Sequence, residues 1–236
     1  MNRQQNPSNI NFLVVIPAYN EEASISDVVR RVIPHCQSVV VIDDGSRDMT
    51  SQKAKMAGAV VLRHPVNRGK GFALRKGFAY AMAKGADAVI TMDADGQHNP
   101  DDVPEFLERY SQRREPILIG NRMHNPGAMP WLRFLTNWFL SWLLSWTMKQ
   151  DVPDTQNGLR LYSVEVLHGL AVKTPRFAAE SEILLTLARR GIPITSLRVA
   201  CIYKNEMSGI QPLRDTARFI RMYLRVVLMS HFSADC

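Results

Sequence analysis

The 236-residue sequence is poor in cysteine, with only Cys36, Cys201 and Cys236. Such a scattered, odd set supports neither a disulfide framework nor a thiolate zinc site, and it fits a reducing compartment. A secretory signature is lacking too, because the stretch from Met1 to Asn11 is polar where a signal peptide carries its apolar core. The chain is therefore expected in the cytosol or on the cytosolic face of a membrane. It has no G-x-x-x-x-G-K-[ST] loop, and no G-x-G-x-x-G follows its first apolar run, which argues against kinase, ATPase and dinucleotide-binding roles. Internal repeats, low-complexity linkers and nucleic-acid fold signatures are missing as well. What is not scarce is core-forming material: 46% of residues are hydrophobic and 22% charged, so the chain is not disordered as a whole. Its length suits one large domain, with at most an appendage.

Charge is short on one side of the chain rather than overall. The formal net charge is +7, yet residues 1–116 hold 15 Lys+Arg against 14 Asp+Glu, and residues 117–236 hold 14 against 8. An anionic partner is expected to meet the second half. The plainer alternative is a basic, solvated surface.

Short apolar runs rich in β-branched residues occur at 12–17, 39–42, 59–62, 88–92 and 116–119. Helical spacing fills about 21–33, 48–57, 70–84 and 101–114. This alternation predicts right-handed βαβ units and a mainly parallel sheet with helices on both faces. Ligands bind such sheets beyond the carboxyl ends of the strands. There the sequence reads Pro17-Ala18-Tyr19-Asn20-Glu21-Glu22, then Asp43-Asp44-Gly45-Ser46, then Asp93-Ala94-Asp95-Gly96-Gln97-His98. Each alone passes for a turn or a helix cap. Together they converge acidic groups on one edge, where crowded carboxylates need a cation or a donor. Asp93 and Asp95, two apart on an extended segment, point the same way. With the Gln97 amide they offer hard oxygen ligands suited to Mg²⁺ or Mn²⁺. The Asn67-Arg68-Gly69-Lys70-Gly71 loop reads as a tight turn opening a helix, or as a place where backbone N–H groups or Lys70 approach a phosphate.

The ordered series PAYNEE, VVVIDDGS, NRGKG, TMDADGQH, GNR and DTQNGLRLY resembles the family 2 glycosyltransferases. It is most similar to their dolichyl- and polyprenyl-phosphate sugar transferases, over roughly residues 11–225. The resemblance implies a GT-A fold, a Rossmann-like α/β domain over 11–212 after a short flexible N-terminus at 1–10. Its nucleotide-binding half would span about 11–120 and its acceptor half about 121–212, with a C-terminal amphipathic basic helix and tail at 213–236. It places Pro17, Tyr19 and Glu21 at the nucleotide base and ribose, joined by Ile42 and Asp44. It puts Asp93, Ala94 and Asp95 at the D-x-D metal motif and Gln97 at a further metal contact. Arg122 corresponds to an arginine facing the diphosphate and the acceptor phosphate. Arg133 corresponds to a second such arginine, and Asn137 stands where the family usually has serine. Lys204 takes the place of the first member of a late basic pair, whereas the lysine expected after Ser208 is Gly209 here.

Two segments speak to a membrane. Residues 131–148 hold all four tryptophans, with Trp131, Trp138, Trp142 and Trp146 on one helical face and Arg133, Asn137, Ser141 and Ser145 on another. The stretch is shorter and more polar than the ~20 apolar residues of a spanning helix. It suits a helix lying in the bilayer interface, the alternative being a helix buried against the sheet or a dimer partner. Arg214, Arg218, Arg221 and Arg225 form one stripe on a second amphipathic segment, read as a headgroup contact or as the solvated face of a core helix.

These readings combine into an inverting, metal-dependent hexosyltransferase. Its donor would be a UDP- or GDP-linked sugar and its acceptor a polyprenyl phosphate at the cytosolic membrane surface; nucleic acid is not an expected partner. A phosphate acceptor is largely dianionic at neutral pH and needs no general base. The rival enzyme, acting on a glycolipid or saccharide hydroxyl, would need Asp154, Glu180 or Glu182 as that base. A third alternative is a membrane-bound module that holds nucleotide sugar without turnover.

Overall fold

The computed structural model describes residues 10–127, 129–174, 178–200, 202 and 219–225. The apolar run that opens the sequence pattern forms β1 (Phe12–Ala18), in which Val14, Val15 and Ile16 are fully buried. A strand hidden on both faces can afford no polar alternation, which is why the sequence reads as a continuous apolar run. After β1 come α1 (Ile25–Val32), β2 (Val39–Asp43), α2 (Thr50–Met56), β3 (Val60–Arg63), α3 (Lys70–Ala83), β4 (Ala88–Thr91), α4 (Val103–Arg113) and β5 (Ile117–Asn121). Single 3₁₀ turns at Ile33–His35 and Pro100–Asp102 extend α1 and precede α4. The four helices expected between residues 21 and 114 are all present. The first starts four residues later than its spacing suggests, because Asn20 adopts φ +56° and the N–H groups of Asn20, Glu21 and Glu22 go to side chains of the 46–50 loop instead of a helix.

The second half adds α5 (Trp131–Met148), β6 (Arg160–Ser163), α6 (Val164–Leu167), α7 (Ala178–Arg189) and β7 (Thr195–Arg198). The seven strands form one sheet in the order β3-β2-β1-β4-β6-β5-β7. β6 is antiparallel to both β4 and β5, and the remaining pairings are parallel. β6 and β7 are not visible in the apolar pattern, since β6 opens on a charge and β7 is polar. The reversal of β6 has a functional consequence. Arg160 pairs with Thr91 of β4 and Ile119 of β5, so the start of β6 lies where its neighbours end. The segment 152–158 therefore reaches the same edge as the acidic loops.

Two apolar layers cover the sheet. On one face α3, α5, α6, α7 and the helical segment 219–225, through Phe219 and Met222, share a cluster with Val15 and Ile42. On the other, α1, α2 and α4 pack over Val14, Ile16 and Ile90. Gly77 lets α3 sit directly on β1, since a Cβ there would collide with the Val15 side chain. Most of the C-terminal segment, including Lys204, Arg214 and Arg218, lies outside the described residues. Among those described, no helix is long and apolar enough to cross a membrane.

Candidate active site

The loops after β1 and β2 are zipped together. Asn20 N–H donates to Ser46 Oγ (2.9 Å), Glu21 N–H to Thr50 Oγ1 (2.8 Å) and Arg47 N–H to Asn20 Oδ1 (2.9 Å). This leaves the Tyr19 ring exposed beside the half-buried Pro17. Ile42 is fully buried in β2, so only its backbone lies near that edge.

The Asp43–Asp44 pair is engaged within the protein. Asp43 accepts from Ser46 N–H (2.8 Å) and Ser51 Oγ and faces Arg63 Nε at 3.5 Å. Asp44 accepts from His64 Nδ1 (2.7 Å), Arg68 N–H (3.0 Å) and Gly69 N–H (2.6 Å). The glycine-rich loop thus presents these two N–H groups to a carboxylate of its own chain. Gly45, at φ +78°, is needed because a Cβ there would come within 2.6 Å of the Val66 carbonyl carbon.

The other half of that loop reaches the D-x-D motif. Lys70 Nζ bonds Asp93 and also lies 2.8 Å from Glu180 Oε2, while His98 Nε2 approaches Asp93 at 3.3 Å. Burial disfavours the Lys70 ammonium, but the Asp93 and Glu180 carboxylates outweigh it and raise its pKa. Burial likewise opposes the Asp93 carboxylate, and Lys70 and His98 overcome this, holding it well below the usual range. Asp95 behaves oppositely: burial first, and the neighbouring Asp93 second, push it up. The motif therefore holds one carboxylate whose charge is met from within and one short of counter-charge. Ala94, between them, is buried. Gly158 lies directly behind them, and a Cβ there would force the Asp93 carboxylate to move.

Arg122, 4% exposed, makes a bidentate pair with the fully buried Asp154, Nε to Oδ2 at 2.8 Å and Nη2 to Oδ1 at 3.0 Å. Its backbone N–H donates to the same Oδ2. Arg160, deeply buried, donates to the carbonyls of Asn157 (2.7 Å), Thr155 (2.9 Å) and Glu180 (3.1 Å). It clamps the 155–157 segment and the start of α7 against the sheet. Sequence reasoning missed Arg160 and Gly158, and it had no partner for Lys70. The signal for Arg160 was a charge inside the otherwise apolar LRLY run.

Arg133, on the first turn of α5, extends Nη2 to within 3.5 Å of Gln97 Oε1. Asn137, one turn on, is buried with Nδ2 4.0 Å from Met129 Sδ. Trp131, Trp138, Trp142 and Trp146 are all more than half exposed. Of the arginine stripe, Arg221 is exposed, whereas Arg225 donates to Glu182 Oε1 (3.1 Å) and Thr174 Oγ1. Arg225 thus fastens segment 219–225 to the protein rather than standing open.

Residues 13–168 match the family model Glycosyl transferase family 2. The chain belongs to that family. It is 30% identical over 213 residues to the UDP-N-acetylglucosamine–dolichyl-phosphate N-acetylglucosaminyltransferase of Methanococcus voltae, covering 80% of this chain and 85% of that one. It is 28% identical over 215 residues to the undecaprenyl-phosphate mannosyltransferase of Micrococcus luteus, covering 84% and 87%. Among solved structures it is similar to glucosyl-3-phosphoglycerate synthase of Mycobacterium tuberculosis, with a TM-score of 0.71, 23% identity and coverage of 93% and 81%. That enzyme has been crystallised with Mn²⁺ and uridine diphosphate. The fold is thus the GT-A arrangement that the family resemblance implied, on the mainly parallel sheet that the strand and helix pattern predicted.

A family 2 glycosyltransferase with this D-x-D offers a cation two carboxylates and the Gln97 amide. These are hard oxygen donors, which fit Mg²⁺ or Mn²⁺. The contacts agree with that fit, because Lys70 and His98 reach Asp93 while Asp95 accepts from the Gln97 N–H. Among the described residues no group of three or more His, Cys, Asp or Glu closes a cage, so remaining ligands would come from substrate and water.

Proposed function

We propose that this glycosyltransferase moves a hexose from a UDP- or GDP-linked donor to a polyprenyl phosphate, with inversion, on the cytosolic face of a membrane. The observation that carries this reading is the Arg133–Gln97 contact of 3.5 Å, which joins the D-x-D segment to the first turn of a helix whose tryptophans face outward. An acceptor that is a phosphate at one end and a hydrocarbon at the other needs that juxtaposition. Homologues named for dolichyl- and undecaprenyl-phosphate transfer support it.

Pro17 and Tyr19 would receive the base, with Glu21 and the β2 end beside the ribose. The role for Asp44 has a constraint: its carboxylate already holds His64 and the 68–69 backbone, so it would shape that pocket while keeping those bonds. Lys204 would add a positive charge to the donor. Asp93, Asp95 and Gln97 would hold a divalent ion, which when bound neutralises charge growing on the leaving diphosphate. Arg133 would bind the acceptor phosphate through its planar fork and orient it, with Asn137 setting the seat of α5 beneath it. Arg122 would act from its Asp154 pair, which fixes the guanidinium direction. The three carboxylates that a hydroxyl acceptor would need as base are all occupied: Asp154 by Arg122, Glu180 by Lys70, and Glu182 by the Lys173 and Thr174 N–H groups and Arg225. This favours an acceptor that arrives already ionised.

The test is release of nucleoside diphosphate from a panel of nucleotide sugars with undecaprenyl or dolichyl phosphate in detergent. Asp95→Asn should keep its melting temperature and lose at least a hundredfold in kcat, the scale of removing one preorganised electrostatic group. Arg133→Ala should raise KM for the lipid phosphate strongly and for the donor little. Full wild-type turnover in EDTA sinks the metal assignment, and equal KM changes for both substrates sink the acceptor assignment.

A further inference from the structure

A groove of about 530 Å³ runs along the outer side of α3, from His64 and Arg68, which adjoin Asp44, toward Met82 and Leu170. Parts of Phe78, Met82, Leu167 and Leu170 form its floor, and Arg68, Arg75 and Lys76 stand at its rim. Met82 lies about 18 Å along the helix from Lys70, at 1.5 Å per residue. Only this far end is remote from the D-x-D site, since the near end, at Arg68 and Phe72, lies within two residues of Lys70.

Its rim is held in an unusual state. The Arg68 and Arg75 guanidinium carbons lie 4.5 and 5.1 Å from the centroid of one ring, Phe72. Two like charges share a single aromatic platform, each gaining a cation–π contact that helps offset their repulsion. Arg75 Nη1 donates to the Val172 carbonyl (3.1 Å) and Lys76 Nζ to the Arg63 carbonyl (2.8 Å). Those acceptors are neutral, so they fix the side chains without cancelling their charge. Among the described residues no carboxylate lines the groove. Asp44, which meets His64 from the inside, is already committed to that ring and to the 68–69 backbone.

Three fixed cations over an apolar floor match an anion that carries hydrocarbon. Phe78 and Leu167 belong to the same apolar layer as Leu144 and Met148 of α5. The groove therefore opens on the sheet face that also carries the exposed tryptophan helix. We infer that it binds an anionic phospholipid of the bilayer, its phosphate at Arg68, Arg75 and Lys76 and the upper part of its chains over Met82 and Leu170. This rests on the membrane-surface reading above but adds a second contact point, distinct from α5 and from the acceptor site. Two separated contacts fix an orientation on a surface where one helix leaves the protein free to swivel about its axis.

The experiment is flotation with vesicles rich in phosphatidylglycerol and with pure phosphatidylcholine. Arg75→Gln with Lys76→Gln should weaken partition to the anionic vesicles about thirtyfold, two charges at the usual contribution per basic residue. Binding to phosphatidylcholine should stay as in wild type. Arg75→Lys with Lys76→Arg keeps the charge and should keep most of the binding. Transfer to a polyprenyl phosphate in detergent, and the melting temperature, should be unchanged in the Gln variant. Equal anionic-vesicle binding by wild type and the Gln variant overturns the proposal. So does equal loss in the charge-conserving variant. Release of the wild type by inorganic phosphate beyond chloride of the same ionic strength would mark a free-phosphate site and also overturn it. A protein that floats as described but never turns over sinks the transfer reading and leaves this one standing; the opposite result does the reverse.

Discussion

Helices α4 and α5 flank β5 in the chain and are built inside out with respect to each other. α4 turns Val103, Phe106, Leu107 and Tyr110 into the core and leaves Glu105, Glu108 and Arg113 in solvent. α5 buries Asn137 and Ser141 along its first turns, with Leu144 and Met148 beyond them, and exposes Trp138, Phe139 and Trp142. The polar side of α5 is inward because its partner is polar backbone. Ser141 Oγ accepts from Thr155 N–H (2.9 Å), and Ser145 Oγ both accepts from Val152 N–H and donates to the Val152 carbonyl, each at 3.1 Å. Buried N–H and C=O groups must find partners, and the 152–155 segment that leads into β6 finds them on this helix. Burial is thus decided by what the facing surface needs as much as by hydropathy. Among the described residues nothing covers the aromatics of this helix, and an apolar row of this size marks an interaction surface.

The largest effect should come from the ordinary helix. Phe106→Ala removes a fully buried ring and should cost about 3–5 kcal/mol in urea unfolding. Trp138→Ser with Trp142→Ser should cost within about 0.5 kcal/mol per site, as surface changes do, and should still reduce vesicle binding. If the tryptophan pair destabilises as much as Phe106→Ala, the outer face of α5 is covered in solution and the contrast fails.

Ser141→Ala removes the hydroxyl and adds nothing to the buried site. Thr155 N–H then loses its acceptor in a buried place, at about 1–3 kcal/mol. The same change should lower kcat, because Asp154, which directs Arg122, is the preceding residue. An unchanged urea midpoint would mean that the hydroxyl rows do not seat α5.

The comparison also explains what was legible beforehand. Strands β1, β2 and β4 are buried on both faces, so an unbroken apolar run announces each, and the acidic loops follow at their ends. The amphipathic period of α4 is an inside–outside signal with the usual sign. In α5 the two faces were visible in the spacing of Trp131, Trp138, Trp142 and Trp146, but which face turns inward depends on the 152–155 backbone, about ten residues further along. β6 hid behind Arg160, whose charge looks like a surface residue until the carbonyls of Thr155, Asn157 and Glu180 are brought around it. Lys70 was visible in the glycine loop, yet its bonds to Asp93 and Glu180 join positions 23 and 110 residues away, and no local pattern encodes such a meeting. Arg225 was readable as one of four stripe members, and its pairing with Glu182 is likewise a tertiary fact.

A pH-dependent effect sharpens the α4 side. Asp102 ends the 3₁₀ turn before α4, and its buried Oδ2 has no hydrogen-bond partner among the described residues. Burial first, and Glu105 second, push its carboxyl up to about 6. An unfolded aspartate titrates near ~3.9. Between these values the folded protein keeps a proton that the unfolded chain has lost, so stability falls as pH rises from about 4 to about 6 and is level above. Asp102→Asn removes the ionisation and should gain about 1 kcal/mol at pH 7.5, after allowance for the solvent that still reaches this half-buried group. At pH 4 the gain should vanish, because the wild-type carboxyl is protonated there. Urea midpoints of both proteins across that window check the sign: a gain that persists at pH 4 would trace the effect to side-chain packing at the head of α4 instead of charge.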